Sequence, residues 1–477
     1  MTREPGPSPV VVLCVLAAIP TILLAAVASW FGGRAEGEPT PVAVVDLPSP
    51  VVAPASAVMS LRRQAAVLSR RANQGVLAQN LSGLVDRLPG TSCLSVSVDG
   101  VPVLSAGVPS VIPASNQKVL IASAALSVLG DDHTFVTEVL GPDPADGIIE
   151  GDLVLVGGGD PLLSSDWYPE SSLDRFPVFN ATSLDSLADA IVARGVRSVS
   201  GAVIGDGSRY DDEWYASDWA DGIAGIEAGP IDALLVNDAR VLGDDYRGSD
   251  PGQAAAREFQ RLLVERGVTF GEEARSGVAS GGSSLATISS MTLPAVLREM
   301  LVNSDNNTAE MVLKEIGLKA SGSGSRAAGV AAVAAHAVAL GGTATPVDGS
   351  GLAASNRLSC QLLVNAIDRD RDFFEESLPV AGSTGALADA FLGSPVEGRL
   401  FAKTGTLGNP PYDRDPPAVK ALAGVVASPT GERLTFALVL NAPTVNDQRE
   451  YRPLWDLLAT ALGAHPTGPG VSVLGPE

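Results

Sequence analysis

Ser115-Asn116-Gln117-Lys118 opens an apolar, Ala-rich segment that continues to Leu129 and stops at Gly130. Its hydrophobic residues cover nearly every helical face, which predicts a core helix from Lys118 to Leu129. Positions i and i+3 share a helix face, so we expect the Lys118 amine close to the Ser115 hydroxyl. A serine needs an adjacent base at neutral pH, and lysine becomes one only when its pKa falls from about 10.4 toward 7. The tetrad therefore indicates either a serine nucleophile with a lysine base or an ordinary helix N-cap.

Ser304-Asp305-Asn306 is a second polar motif, and it lies between two predicted helices. In such a connection a hydroxyl and an amide can both face a cleft. The same composition also suits capping of the helix that is predicted from Thr308 to Ile316. Taken alone, the motif is compatible with both interpretations.

Lys403-Thr404-Gly405 is the third motif, and it ends the run from Arg399 to Ala402, so we expect it on a strand. Gly405 would let an acyl chain lie close against the strand backbone. An ordinary strand end with a turn glycine has the same composition. Each motif occurs once, and two of the chain's five lysines belong to the set. Each is weak alone, but together they strongly indicate one catalytic site.

These motifs and their order make the chain resemble the low-molecular-mass class C penicillin-binding proteins, the D-alanyl-D-alanine carboxypeptidase/endopeptidase family. The first two motifs lie 304 − 115 = 189 residues apart, which leaves room for an inserted domain, and the last two lie 403 − 304 = 99 apart. Two further stretches are similar to the family, Gly157–Pro161 and Asp348–Leu352. The resemblance covers the chain from Leu61 to Leu462.

The resemblance implies an acyl-transfer mechanism on peptidoglycan stem peptides. Ser115 would attack the carbonyl between the two terminal D-alanines, and Lys118 would take its proton. Ser304 and Lys403 would relay the proton to the leaving amine, and Asn306 would hold the acyl amide. Water would then hydrolyse the acyl-enzyme. β-Lactam antibiotics would acylate the same serine, and no metal or organic cofactor would be required.

The resemblance also implies a set of substrate contacts around these residues. Lys403 and Thr404 would bind the substrate carboxylate, beside Gly405. Backbone N–H groups of the nucleophile and of Thr406 would form the oxyanion hole. Asp160, in the Gly-rich stretch, would contact the basic end of the stem-peptide side chain.

Two other classes of protein share parts of this pattern. A serine β-lactamase has the same nucleophile and base but also needs fast deacylation, usually through a dedicated Glu or Tyr. Glu315 superficially suggests such a group, yet it lies nine residues after Asn306 on what is predicted to be the same helix. A non-catalytic peptidoglycan-binding or penicillin-sensing module is the third class, and three intact motifs make it unattractive.

The order of secondary-structure signals predicts one domain interrupted by another. A β-hairpin is predicted at Cys93–Leu104, and a second one covers Leu422–Leu440 near the other end of the chain. Between them lie short β-rich runs, among them Ile231–Val236. We therefore expect an α/β (α+β) serine β-lactamase/transpeptidase-like domain, an antiparallel sheet flanked by helices, at residues 59–137 and 266–465. A β-rich inserted domain would occupy residues 138–265.

The N-terminal segment indicates export. Val10–Phe31 is uncharged and mostly apolar, and about 20 such residues can span a bilayer. Residues 1–33 are therefore a signal peptide or a membrane anchor, followed by a Pro/Ala-rich linker at 34–58. The protein would act in the cell envelope, attached to the membrane only through this segment or secreted. There Cys93 and Cys360 could form a disulfide, or remain buried free thiols.

Composition excludes two other kinds of function. The formal charge is 32 − 54 = −22, which argues against a nucleic-acid partner because phosphate binding needs clustered Lys and Arg. The three histidines are His133, His336 and His465, which are far apart in the sequence. Zinc chemistry and a histidine-based triad are therefore not expected.

Overall fold

The computed structural model describes residues 64–171, 178–409 and 415–474. These residues belong to one compact unit, Leu61–Glu477. The predicted signal or anchor segment at 1–33 and the linker at 34–58 lie outside the described residues. Within the part of the chain that is described, no helix is both long enough and apolar enough to cross a membrane.

Helices and strands alternate along the chain in a mixed α/β order. The strands are β1 (Cys93–Val98), β2 (Val101–Gly107), β3 (Val136–Gly141), β4 (Ile148–Ile149), β5 (Leu153–Val156), β6 (Leu163–Ser164), β7 (Thr182–Ser183), β8 (Ser198–Val199), β9 (Val203–Asp206), β10 (Thr269–Phe270), β11 (Arg275–Ser276), β12 (Ser283–Ser289), β13 (Leu400–Leu407), β14 (Ala418–Ala427) and β15 (Arg433–Ala442). The helices are α1 (Ala65–Asn80), α2 (Ser82–Val85), α3 (Gln117–Leu129), α4 (Leu184–Ala193), α5 (Pro251–Glu265), α6 (Leu293–Asn303), α7 (Asn306–Ser321), α8 (Arg326–Ala339), α9 (Cys360–Arg369), α10 (Arg371–Ser377), α11 (Gln448–Gly463) and α12 (Val471–Leu474).

The main sheet combines two strands from residues 93–107 with three strands from residues 400–442. Its strand order is β13-β14-β15-β1-β2, and each neighbouring pair is antiparallel. Strand β14 is apolar at every position except Lys420, because both of its faces are largely covered. On one face Ala421 and Val425 join a core cluster with helices α3, α6, α7 and α9. On the other face Leu422 and Val426 pack with residues of α1 and α11. The predicted fold class, an antiparallel sheet flanked by helices, is confirmed.

A second group of strands lies between the two hairpins. A five-stranded sheet has the order β11-β9-β5-β3-β12, with antiparallel pairing at β3 and parallel pairing at β9. Helices α4 and α5 contribute Leu187 and Phe259 to the core beside this sheet. The β-rich character predicted for this region is therefore present. The domain boundaries at residues 138 and 265 stay a prediction.

Residues 231–236 were expected to form a strand, and this prediction is wrong. The segment has no strand pairing, and it leads into a short 3₁₀ turn at Asn237–Ala239. Ile231 and Leu235 are nonetheless fully buried, in a cluster that includes Met311 of α7. A short apolar run indicates burial, and burial here is reached without sheet pairing.

Cys93 and Cys360 form a disulfide that links the start of β1 to the start of α9. The two residues are 267 positions apart in the sequence and both are buried. Helix α9 also packs against β1 and β15 in the core. The cross-link therefore fixes this helix to the sheet and closes a very long loop.

The Cys93→Ala/Cys360→Ala double substitution should lower the free energy of unfolding by roughly 2–5 kcal/mol, because the unfolded chain loses a constraint. Urea unfolding with and without a reducing agent measures this. Reductant should destabilise the wild type and leave the double variant unchanged. Equal wild-type midpoints in both conditions would show that the two thiols are free.

Candidate active site

Ser115 lies in a tight turn immediately before the core helix α3. Residues Ala114–Asn116 form one 3₁₀ turn, and Ala114 has a positive φ of 48°. Gly351 lies against this turn with a φ of +85°, and a Cβ there would sit 2.0 Å from the Ala114 carbonyl oxygen. Only glycine fits such a position. The loop around Gly351 and the Ser115 turn are therefore held in close contact.

Lys118 projects from the first turn of α3 and is fully buried. Its Nζ lies 3.2 Å from Ser115 Oγ, 2.7 Å from Asn306 Oδ1 and 2.7 Å from the Ser350 carbonyl oxygen. The first and second sequence motifs therefore meet at one nitrogen atom. The predicted i, i+3 contact between lysine and serine is present.

The loop that supplies the Ser350 carbonyl is held by two buried carboxylates, Asp348 and Glu310. Glu310 Oε1 accepts from the backbone N–H groups of Gly349 at 2.9 Å and Ser350 at 2.8 Å. Asp348 accepts from the Gly351 N–H at 2.9 Å. Sequence reasoning placed Asp348 in a family-like stretch without a role, and it missed Glu310, because these bonds join α7 to a loop about forty residues away.

Burial lowers the pKa of Lys118 to about 8, since an ammonium loses hydration inside the protein. The carboxylates of Asp305, Asp348 and Glu310 act in the opposite direction and limit the shift. Below pH 8 the amine is mostly protonated, and above it the neutral form predominates. A neutral amine beside a serine hydroxyl can accept that hydroxyl's proton.

Lys403 lies on β13, the edge strand of the main sheet, and is also fully buried. Its Nζ donates to the Thr404 carbonyl oxygen at 2.9 Å. Burial lowers its pKa well below the usual value, and the positive charges of Lys118 and Lys420 lower it further. A substrate carboxylate beside Lys403 would offset this shift and favour the charged form.

The third motif is joined to the first by backbone and amide contacts. The Asn116 side-chain amide is oriented so that its NH₂ group donates to the Lys403 carbonyl oxygen at 3.0 Å. Its oxygen then accepts from the Ala423 N–H at 3.3 Å. A Cβ on Gly405 would lie 2.9 Å from the Pro113 carbonyl oxygen and 3.2 Å from the Ser115 nitrogen. The absence of a side chain at Gly405 therefore lets β13 approach the Ser115 turn. This packing requirement for glycine could not be inferred from the sequence.

The second motif lies at the junction of α6 and α7. Ser304 ends α6 in the left-handed conformation, with φ 58°. Asp305 caps α7 by accepting from the Thr308 N–H, so the capping interpretation also holds. Asn306 accepts from Lys118 and donates through Nδ2 to the Glu227 carbonyl oxygen at 2.8 Å. Its amide therefore joins the lysine to a loop of the β-rich region.

A cavity of about 670 Å³ opens beside this motif. Ser304, Asp305 and Asn306 line it, together with residues of the β-rich region that include Tyr215 and Arg240. The cavity is large enough for several amino-acid residues. The cavity therefore provides space beside the second motif. Ser115 and Lys118 are not among the residues that line it.

Asp160 does not join this group of residues. It is 1% exposed, and its Oδ1 accepts from the Leu162 N–H at 2.9 Å. Burial raises its pKa to about 6. Its neighbours Pro161 and Leu162 line the cavity, so Asp160 lies behind the cavity wall. Direct contact between Asp160 and a substrate stays a prediction.

Glu315 has neighbours that explain its burial. Its carboxylate accepts from Arg209 Nη2 at 2.6 Å and from the Tyr210 hydroxyl at 2.9 Å. His133 Nε2 lies 3.7 Å from the same carboxylate. These contacts make Glu315 part of an ion pair between α7 and the β-rich region.

The fold is that of the low-molecular-mass class C penicillin-binding proteins. The chain belongs to the D-Ala-D-Ala carboxypeptidase 3 (S13) family, whose profile matches residues 105–247 and 238–462. It is 29% identical over 420 residues to a D-alanyl-D-alanine carboxypeptidase of Actinomadura sp., covering 69% of this chain and 73% of that protein. It is 31% identical over 381 residues to carboxypeptidase Rv3627c of Mycobacterium tuberculosis, covering 74% and 75%.

Solved structures have the same fold. Penicillin-binding protein 4 of Haemophilus influenzae matches with a TM-score of 0.63 at 21% identity, covering 80% of this chain and 98% of that one. A predatory peptidoglycan endopeptidase of Bdellovibrio bacteriovorus matches with a TM-score of 0.52 at 15% identity, covering 80% and 94%. The resemblance inferred from the three motifs is confirmed at the level of family and fold.

Gly351→Ala should displace the Ser115 turn, because its Cβ would overlap the Ala114 carbonyl oxygen. We expect a stability loss of roughly 1–3 kcal/mol and a fall of about tenfold or more in acylation by a labelled penicillin. Gly398→Ala is the matched control, since Gly398 has a similar φ of +69° with open space around it. The control should lose some stability and keep its reactivity. Equal behaviour of the two variants would contradict the contact.

Proposed function

We propose that this protein is a serine D-alanyl-D-alanine carboxypeptidase that acts on peptidoglycan stem peptides through an acyl-enzyme. One observation carries the proposal: the buried Lys118 amine lies 3.2 Å from Ser115 Oγ. Burial brings its pKa to about 8, which gives the lysine a substantial neutral fraction in mildly alkaline conditions. Family membership supports the choice of substrate.

In the acylation step, Ser115 Oγ attacks the carbonyl carbon of the penultimate D-alanine and its proton passes to Lys118 Nζ. The carbonyl oxygen becomes an oxyanion, for which the backbone N–H groups of Ser115 and Thr406 are the proposed donors. Each such donor is typically worth roughly 3–4 kcal/mol in the transition state. The close approach of β13 to the Ser115 nitrogen at Gly405 supports this pairing of donors.

In the second half of acylation, the peptide bond breaks and the leaving D-alanine needs a proton. Lys118 returns the proton, relayed by Ser304 and Lys403 to the leaving amine. Lys403 and Thr404 would hold the carboxylate of that D-alanine, and Asn306 would hold the acyl amide. Water then attacks the ester carbonyl, and the peptide leaves one D-alanine shorter with Ser115 restored.

D,D-endopeptidase activity is a second candidate, favoured by the cavity beside Ser304 and Asn306. A cross-linked substrate brings a second stem peptide as the leaving group, which needs room beyond that of a single D-alanine. A cavity of about 670 Å³ provides such room.

The β-lactamase alternative has less support. Glu315 is held by Arg209 and Tyr210, so it is not positioned to activate a deacylating water. β-Lactams would then form long-lived adducts on Ser115 rather than being turned over. The non-catalytic alternative is also weaker, because a module that only binds peptidoglycan has no need of a lysine with a lowered pKa next to the serine.

Two further features belong to this proposal. The protein would act outside the cytoplasm, through export by residues 1–33, and the Cys93–Cys360 disulfide supports an oxidising compartment. Residues 138–265 would form an inserted domain on the substrate side of the site. Two hydrogen bonds support this arrangement. The Trp219 indole N–H donates to Asp348, and the Glu227 carbonyl oxygen accepts from Asn306.

The experiment that tests the function is product analysis by mass spectrometry. The purified protein is incubated with a stem pentapeptide that ends in D-Ala-D-Ala and, separately, with a cross-linked muropeptide dimer. We expect loss of one D-alanine from the pentapeptide, and none with Ser115→Ala. Cleavage of the dimer to monomers would add the endopeptidase activity.

Ser321→Ala is the matched control, since Ser321 is exposed at the opposite end of α7 from Asn306. It should release D-alanine at the wild-type rate. Thermal unfolding checks that each variant is folded. Release of D-alanine by a folded Ser115→Ala protein, or none by the wild type, would overturn the proposal.

A further inference from the structure

Lys420 is a half-buried lysine of the main sheet that none of the three motifs contains. It lies on β14 directly opposite Thr406 of β13. Its Nζ donates to Thr406 Oγ1 at 2.9 Å. The same nitrogen lies 4.5 Å from the ring centre of Tyr451 and 5.3 Å from that of Trp455, both on α11. One ammonium group therefore joins β13, β14 and helix α11.

Thr406 is the residue for which this attachment matters. It is the next residue after the Lys-Thr-Gly motif, near the end of β13, and its side chain is exposed. Because β13 is an edge strand, Thr406 has a paired strand on one side only. The Lys420 bond is a side-chain contact that Thr406 makes in addition to the backbone pairing of β13 with β14.

We propose that Lys420 is a positioning residue, which holds the Thr406 end of β13 so that the Thr406 N–H points at the developing oxyanion. This inference rests on the proposed function. Lys420 touches no reacting atom in the scheme and acts through Thr406. A cation stacked on aromatic rings is well suited to the task, because the rings fix its location without neutralising its charge.

The charge of Lys420 has a second effect, on Lys403. Burial is the main cause of the lowered pKa of Lys403, and the Lys118 and Lys420 charges add to it. Removing the Lys420 charge would therefore raise the pKa of Lys403. Charged Lys403, the form that binds a carboxylate, would then persist to higher pH. A Lys420 charge that does not act on Lys403 would leave that pH dependence unchanged.

The test compares Lys420→Met, Lys420→Arg and Thr406→Val in D-alanine release from the stem pentapeptide. Methionine keeps the packing on Tyr451 but loses the charge and the donor, so kcat/KM should fall about tenfold, mainly in kcat. That is less than the 10²–10³ typical for removal of an oxyanion donor, because the N–H is displaced and not lost. Arginine, which keeps the charge and donors, should stay within about twofold of the wild type.

Thr406→Val tests whether Lys420 acts through Thr406. It removes the acceptor and keeps the backbone N–H, so it should reproduce most of the loss in kcat. The Lys420→Met/Thr406→Val double variant should then be no slower than Lys420→Met alone, since the two changes break one interaction. The alkaline limb of the pH profile should move upward in Lys420→Met and stay in place in Thr406→Val.

Lys319→Met is the matched control, because it removes one lysine charge from the exposed last turn of α7. It should leave kcat, KM and the pH profile unchanged. If Lys420→Met behaves like this control, or if the losses in the double variant multiply, the positioning role is wrong. If the wild type releases no D-alanine at all, the proposed function fails instead. Should Lys420→Met not fold, Lys420→Arg and Thr406→Val still decide the question.

Discussion

The buried Lys118 amine is the contact on which the rest of the site depends. Three segments that are distant in sequence bring acceptors to it: the Ser115 turn, the Asn306 end of α7 and the Ser350 loop. Removing an ammonium from water is costly unless hydrogen bonds replace its hydration. The segments are therefore fixed to one another because the lysine needs all three. The same contacts place its nitrogen against the Ser115 hydroxyl.

Burial and nearby carboxylates shift the pKa of Lys118 in opposite directions. Burial favours the neutral amine, while Asp305, Asp348 and Glu310 favour the ammonium. The carboxylates also have structural tasks, since Glu310 and Asp348 hold the loop and Asp305 caps α7. The pKa of Lys403 is lowered by burial and, in addition, by the positive charges of Lys118 and Lys420. The site thus contains two buried lysines, one with carboxylates nearby and the other shifted further by neighbouring cations.

The sequence predicted the local features of this arrangement. The core helix, the two hairpins and the serine–lysine spacing follow from periodicity over short stretches of chain. Contacts between distant segments could not be predicted in this way. Glu310 bonds to the loop near Ser350, and Lys420 faces Thr406 across a hairpin whose register depends on both strands. Asp160 lies in a stretch that is similar to the family, but its burial could not be predicted because it depends on packing with distant segments.

The most direct measurement is the titration of the Lys118 side chain by NMR. The protein has only five lysines, so ¹³C-lysine labelling gives a simple spectrum, and Lys118→Arg identifies the signal that disappears. The account predicts that this signal titrates near pH 8, with the amine protonated below that pH and neutral above it. A midpoint near the ordinary lysine value of about 10.4 would mean that Lys118 stays charged, and would contradict its role as the base.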